Sequence, residues 1–387
     1  MLLKHLSLLG LTGYAAAQTS NATLNSTLSS TPELSNLTSF LNLNPALIQA
    51  LSSAQNITIL APSDEAFAQL LNSSAGEALT TDAGLVSALL TYHILNGSYT
   101  AAQITNSSVF VPTLLNNETY SNVTGGQVVE AVKIGNDTVF YSGLLQNSTV
   151  TTADVNFTGG VIHIVDRVLT LPVSVLDTAS AANLTSFRGA INATGLIDTV
   201  NDTPDLTIFA PTNEAIRSVY GALEGLAEQD LTNILAYHVV NASSPGYSST
   251  LENGTTLQTA FGTNLTITIE NGTVFVNAAK VITPNVLVAN GVVHIIDNVL
   301  NPSNNETADP TATSGAPAYT ATTTGSEDPF TSGQPEATTT INPISEGPGP
   351  ASTTVSSSST AAAMPMRTGA VGYGALLGAG AAVLVGY

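Results

Sequence analysis

No cysteine occurs in the 387 residues of the chain. No disulfide can staple it, and thiol nucleophiles, cysteine-based zinc sites and iron–sulfur clusters are excluded with the residue that would carry them. Every folded unit must stand on its own hydrophobic core. Basic residues are also scarce: 7 Lys and Arg stand against 27 Asp and Glu, a formal net charge of −20. A surface of that sign repels phosphate backbones and anionic headgroups, so nucleic acid is excluded as a partner. The carboxylates nowhere take the spacing of a calcium loop, and neither an H-E-x-x-H helix nor a G-x-S-x-G elbow is present. No metal, no cofactor and no small-molecule substrate is expected.

What is present is a repeat. GVIHIVDRVL at 160–169 returns as GVVHIIDNVL at 291–300. In both copies Gly is followed by β-branched residues around a His and then by Asp, which reads as a strand. Val161, His163 and Val165 would face one way and Ile162, Ile164 and Asp166 the other, so both faces are apolar and the strand is expected to be central. Three more pairs precede it in the same order: NLTSF at 36–40 and 183–187, NITILAPSDEAF at 56–67 and DLTIFAPTNEAI at 205–216, and LLTYHIL at 89–95 and ILAYHVV at 234–240. Order is kept while spacing drifts, mostly between the last two pairs, as in two homologous domains that differ by loop insertions.

Local signals place these motifs. Residues 56–60 read as a strand ending near Pro62, followed by a helix capped by Ser63 with Asp64 and Glu65 in its first turn; Thr212 and Glu214 repeat the device. A second helix is predicted over 82–95, with Val86, Leu89, Leu90 and His93 on one stripe, matched by Leu231, Ile234, Leu235 and His238. A histidine on an apolar stripe is ordinarily a buried, hydrogen-bonded core residue. Asn271-Gly272 between two alternating runs predicts a hairpin. His163 and Asp166 lie three apart on a strand and cannot form a dyad, and a hydrolase built on Ser63 or Asp64 with His93 lacks any accompanying motif. No catalytic residue is assigned.

These motifs, TILAPSDEAF with TIFAPTNEAI, Tyr92-His93 with Tyr237-His238, and the two GVxHIxDxVL strands, resemble those of the fasciclin domain family, present here as a tandem pair. The resemblance implies an α+β fold: two tandem domains, each a mixed twisted β-sheet or sandwich wedge packed with short helices, over 34–171 and 180–302. It implies a non-enzymatic, extracellular, glycosylated adhesion module whose partners are cell-surface or matrix proteins or glycans. The family motif residues are Tyr92, His93, His163 and Asp166, then Tyr237, His238, His294 and Asp297. Animal matrix members are linked to integrin binding through an Asp-Ile pair, matched here by Asp154-Val155 and, without the acid, by Asn285-Val286.

The ends carry processing signals. Residues 1–17 read as a secretory signal peptide and 18–33 as a short N-terminal segment. Twenty N-x-S/T sequons run from Asn21 to Asn305; those named as glycan carriers are Asn36, Asn56, Asn72, Asn96, Asn122, Asn136, Asn183, Asn264 and Asn271. Residues 170–182 read as a short linker and 303–358 as an extended Ser/Thr/Pro-rich stalk. The apolar, uncharged tail within 359–387 reads as a glycosylphosphatidylinositol signal, with Ser356, Ser357, Ser358 and Ser359 as attachment candidates and the outer leaflet or cell wall as the destination. Two functions follow: a surface adhesion or wall-organising protein, or a luminal membrane-anchored tether in vacuolar or secretory fusion and trafficking.

Overall fold

The structure, a computed structural model, describes residues 22–270, 272–308, 315–319 and 323–336. The signal peptide, Ser356 to Ser359, the tail and the Asn271 sequon lie outside the described residues. Among the described residues no helix is long and apolar enough to cross a membrane.

The first half builds a seven-stranded sheet from β1 (Ile57–Pro62), β2 (Ile94–Leu95), β3 (Val109–Pro112), β4 (Val128–Ile134), β5 (Asp137–Tyr141), β6 (Asn147–Phe157) and β7 (Gly160–Val165), in the order β2-β1-β7-β6-β5-β4-β3. Its helices are α1 (Leu24–Ser30), α2 (Ser35–Asn42), α3 (Pro45–Ser53), α4 (Asp64–Leu71), α5 (Ser74–Thr81) and α6 (Ala83–Tyr92). The second half repeats the topology with β8 (Leu206–Pro211), β9 (Val239–Asn241), β10 (Thr256–Gln258), β11 (Asn264–Glu270), β12 (Thr273–Val276), β13 (Ala279–Val288) and β14 (Gly291–Ile296), in the order β9-β8-β14-β13-β12-β11-β10. Its helices are α7 (Val175–Ala181), α8 (Thr185–Ala193), α9 (Ile197–Asp202), α10 (Asn213–Ser218), α11 (Tyr220–Leu223) and α12 (Glu228–Tyr237).

Each repeated strand lies between a parallel neighbour, β1 for β7 and β8 for β14, and an antiparallel one, β6 or β13. Both faces are covered: Ile208 and Phe209 are adjacent in β8 yet belong to different buried clusters, as the two-residue period requires. The repeated Gly has a steric cause. A Cβ at Gly160 would fall on the Ile57 carbonyl oxygen, and one at Gly291 on that of Leu206, where the parallel strands meet. Ser63 and Thr212 cap α4 and α10, accepting from the backbone N–H of Ala66 and Ala215.

Four expectations change. The helix predicted over 82–95 ends at Tyr92; Asp82 is its N-cap, His93 its C-cap, and Ile94–Leu95 turn out to pair with β1 as a short strand. The apolar stripe runs past the helix end because a C-cap residue keeps the helical side-chain direction for one more position. Within 18–33, α1 buries Leu24 and Leu28 in the first core. Within 170–182, α7 buries Val175, Leu176 and Ala179 in the second core, so the joining segment is folded. The described part of the 303–336 stretch is not an extended stalk but runs along the second domain. Ala308 and Ala316 donate backbone N–H bonds to the Asn277 and Ala278 carbonyls, and Tyr319 and Phe330 pack on the second core. Composition averaged over this stretch hides those two aromatic anchors.

The two domains share an interface. Phe110 stacks on Tyr247 with ring centroids 4.2 Å apart, over a cluster of Val128, Leu287 and Val292. Asn122 donates its backbone N–H to the Ala289 carbonyl and its side-chain amide to that of Asp202 (2.8 Å), and Thr124 binds both carboxylate oxygens of Asp205. Leu144 and Leu145, with φ of 57° and 53°, plug into the second domain's core. Consecutive left-handed leucines are costly and persist because burial in that core holds them.

Candidate functional site

The motif histidines converge on backbone, not on one another. At the end of α6, His93 Nδ1 lies 2.7 Å from the Leu89 carbonyl, and its Nε2 accepts from the backbone N–H of Leu169 at 2.9 Å. A carbonyl only accepts and an amide N–H only donates, so the ring is neutral with its proton on Nδ1. His238 repeats this with the Ile234 carbonyl (2.7 Å) and Leu300 N–H (2.9 Å). Each ring thus ties a helix end to the chain just beyond the repeated strand. Burial pulls both rings down to a pKa of about 4, against a smaller opposing effect of the carbonyl bond.

His163 and His294 on the strands use the opposite tautomer. His163 Nδ1 accepts from Asp154 N–H (3.2 Å) and Nε2 donates to the Tyr99 carbonyl (2.8 Å). His294 does the same with Asn285 N–H (3.3 Å) and the Gly246 carbonyl (2.8 Å), and burial again draws it down to about 4. Tyr92 donates its hydroxyl to the Val128 carbonyl, whereas Tyr237 donates to the Asn264 carbonyl and accepts from the Asn277 amide. Asp166 accepts from Thr149 N–H and Asp297 from Lys280 N–H, each closing the end of its antiparallel ladder.

Asp154 and Asn285 occupy the same β-bulge position, at φ 58° and 65°. Each side-chain oxygen accepts a loop N–H, from Ala101 at 3.0 Å in the first domain and Ser248 at 2.9 Å in the second. The position asks for a residue that tolerates left-handed backbone and offers one acceptor, which Asp and Asn meet equally. Asp154 and Val155 are half-buried.

Of the sequons, Asn56, Asn72, Asn96, Asn136, Asn183 and Asn264 are exposed. Asn36 is half-buried and donates its amide to the Asp64 carbonyl. Asn122 spends its amide nitrogen, the atom a glycan would occupy, on the interdomain bond to Asp202. Mapping of deglycosylated peptides in heavy-oxygen water is expected to find Asn136 and Asn264 converted to labelled Asp and Asn122 unmodified.

One group at the interface escaped the sequence reading. Glu130 on β4 is fully buried, neither carboxylate oxygen reaches a donor at hydrogen-bonding geometry, and burial raises its pKa to about 7, tempered by nearby Ser108 and Asn285. Only the alternation of VVEAVKI, which puts Glu130 on the same face as Val128 and Val132, hinted at it. Among the described residues no group of three or more His, Asp or Glu could hold a metal ion.

The Fasciclin domain family matches residues 32–172 and 182–302, and the chain belongs to that family. It is 37% identical over 318 residues, 81% of this chain and 75% of the relative, to a fasciclin-like arabinogalactan protein of Arthroderma benhamiae. It is 28% identical over 255 residues to human periostin, covering 64% of this chain and 28% of periostin. Among solved structures it is similar to a FAS1 domain pair from the insect cell adhesion molecule fasciclin I, at 22% identity over 69% of this chain and 97% of the other, with a TM-score of 0.34.

Proposed function

We propose that the chain is a non-catalytic adhesion or wall-organising glycoprotein, displayed at the cell surface on a lipid anchor and engaging surface or matrix proteins or glycans. The observation that carries this reading is that the four motif histidines are buried and consumed by bonds within their own domains, which leaves recognition to an acidic, sequon-bearing exterior. The likeness to fasciclin-like arabinogalactan proteins points the same way.

The test is attachment of cells bearing the chain, at equal surface abundance, before and after treatment with a phosphatidylinositol-specific phospholipase. Release of the intact chain with loss of attachment supports the reading, whereas retention in a luminal compartment favours the membrane tether. In the same assay Asp154→Asn is expected to attach as well as the parent and to keep its unfolding midpoint, because Asn285 already fills that bulge in the second domain. Lost attachment at an unchanged midpoint would make the Asp154 charge a recognition element.

A further inference from the structure

The segment at 323–331, Thr-Thr-Gly-Ser-Glu-Asp-Pro-Phe-Thr, is seated on a face of the second domain formed by α8, α10 and α11. Gly221 donates its N–H to the Thr323 carbonyl (3.0 Å) and Gly325 donates to the Arg217 carbonyl (2.9 Å), so backbone meets backbone at both α10 and α11. Arg217 pairs with Asp328 at 2.7 Å. Pro329 is buried, and Phe330 packs on the second core with its backbone at φ 60°. Two helical glycines leave the necessary room. A Cβ at Gly189 would overlap the Phe330 carbonyl oxygen, and one at Gly221 the Thr323 hydroxyl.

The first domain is an internal control. By the offsets of the flanking motifs, Gly189 corresponds to Asn42, Arg217 to Ala68 and Gly221 to Asn72. The two clearances and the cation are all missing there, and the counterpart of Tyr220, Leu71, is 42% exposed. The fold alone therefore does not call for a covering segment. The residues that admit one appear only in the domain that has it.

We propose that the α8–α10–α11 face of the second domain is a peptide-docking surface for acidic segments with a Pro-aromatic turn, and that residues 323–331 occupy it in cis as a latch on the tether. Recognition rests on charge pairing to Arg217, an aromatic anchor, and backbone bonds that require glycine opposite. The ion pair is half-exposed and contributes little to stability on its own, so the latch is releasable. Opening it frees chain that is otherwise held along the domain and lengthens the tether. A like segment from a second copy can then take the vacated face.

Hydrogen exchange on the full secreted chain tests this. Ala is ordinarily better than Gly inside a helix, so Gly189→Ala would tighten α8 if the face were empty. With a latch it is expected to speed exchange across 323–331 by at least ~tenfold, local opening being what such exchange reads, while β11–β12 and the first domain keep their protection. Asp328→Arg is expected to loosen the segment, and Arg217→Asp combined with it to restore protection. A labelled peptide of sequence 321–333 is expected to bind the Gly221-intact, Asp328→Arg/Phe330→Ala chain saturably and to leave the parent chain unbound. Equal exchange over 323–331 in the parent and Gly189→Ala chains overturns the proposal. If Gly189→Ala unfolds the second domain, the charge swap decides: protection that does not return with the double reversal also overturns it.

Discussion

Gly160→Ala is expected to unfold the first domain and Gly291→Ala the second, each losing at least about 4 kcal/mol, the upper range for single substitutions. The added methyl would lie on the carbonyl oxygen of Ile57 or Leu206 at the first rung of the parallel pairing. Neither partner can move, because β1 and β8 are buried along their whole length. Both glycines also sit at φ near 157°, where a side chain is disfavoured. Separate unfolding transitions for the two domains, followed by fluorescence or calorimetry, would show one transition lost and the other kept. Two unshifted transitions would mean that the strands meet differently from this register.

The second large effect is acid sensitivity. His93, His238 and His294 titrate near 4 when folded and near 6.5 when unfolded. The unfolded state therefore binds protons first. The stability these rings supply is complete above pH 6.5 and is lost as pH falls toward 4, at about 2 kcal/mol per ring by pH 5 and about 3 by pH 4. The unfolding midpoint of the chain, followed by calorimetry, is expected to fall steadily from pH 6.5 to pH 4 as these rings take up protons. Glu130 has the opposite sign. Its folded pKa of about 7 exceeds the unfolded 4.5, so it favours folding below 4.5 and costs about 3 kcal/mol once pH rises past 7. Glu130→Gln is expected to raise the interface's stability at pH 8 and to leave it nearly unchanged at pH 4.5. A pH-independent effect of that substitution would show that its carboxyl is ionised throughout.

Much of the fold was legible because the chain states it twice. Residues with local jobs announced themselves: Ser63 and Thr212 as caps, Asn271-Gly272 as a hairpin turn, across which Glu270 pairs with Thr273, and Gly160 with Gly291 before strands apolar on both faces. The helix end at His93 was not legible, since a capping side chain satisfies the same spacing as an interior one. Tertiary contacts left no local trace. Nothing near Leu144 and Leu145 marks them as a plug for the other domain, Phe110 and Tyr247 meet from segments far apart, and Tyr319 and Phe330 are single aromatics in a Ser/Thr/Pro-rich stretch. The tyrosines and histidines were read as motif residues, but which backbone group each one holds depends on loops whose lengths differ between the two halves.

Long-range proton–nitrogen correlation spectra of the imidazoles at pH 5.5 test directly whether those rings are neutral struts of the fold. Predicted are three rings still neutral, His93 and His238 protonated on Nδ1 and His294 on Nε2, as their carbonyl and amide partners dictate. Rings that titrate near 6.5 with both tautomers in rapid exchange would contradict it, and would return the histidines to the surface as groups free to recognise a partner.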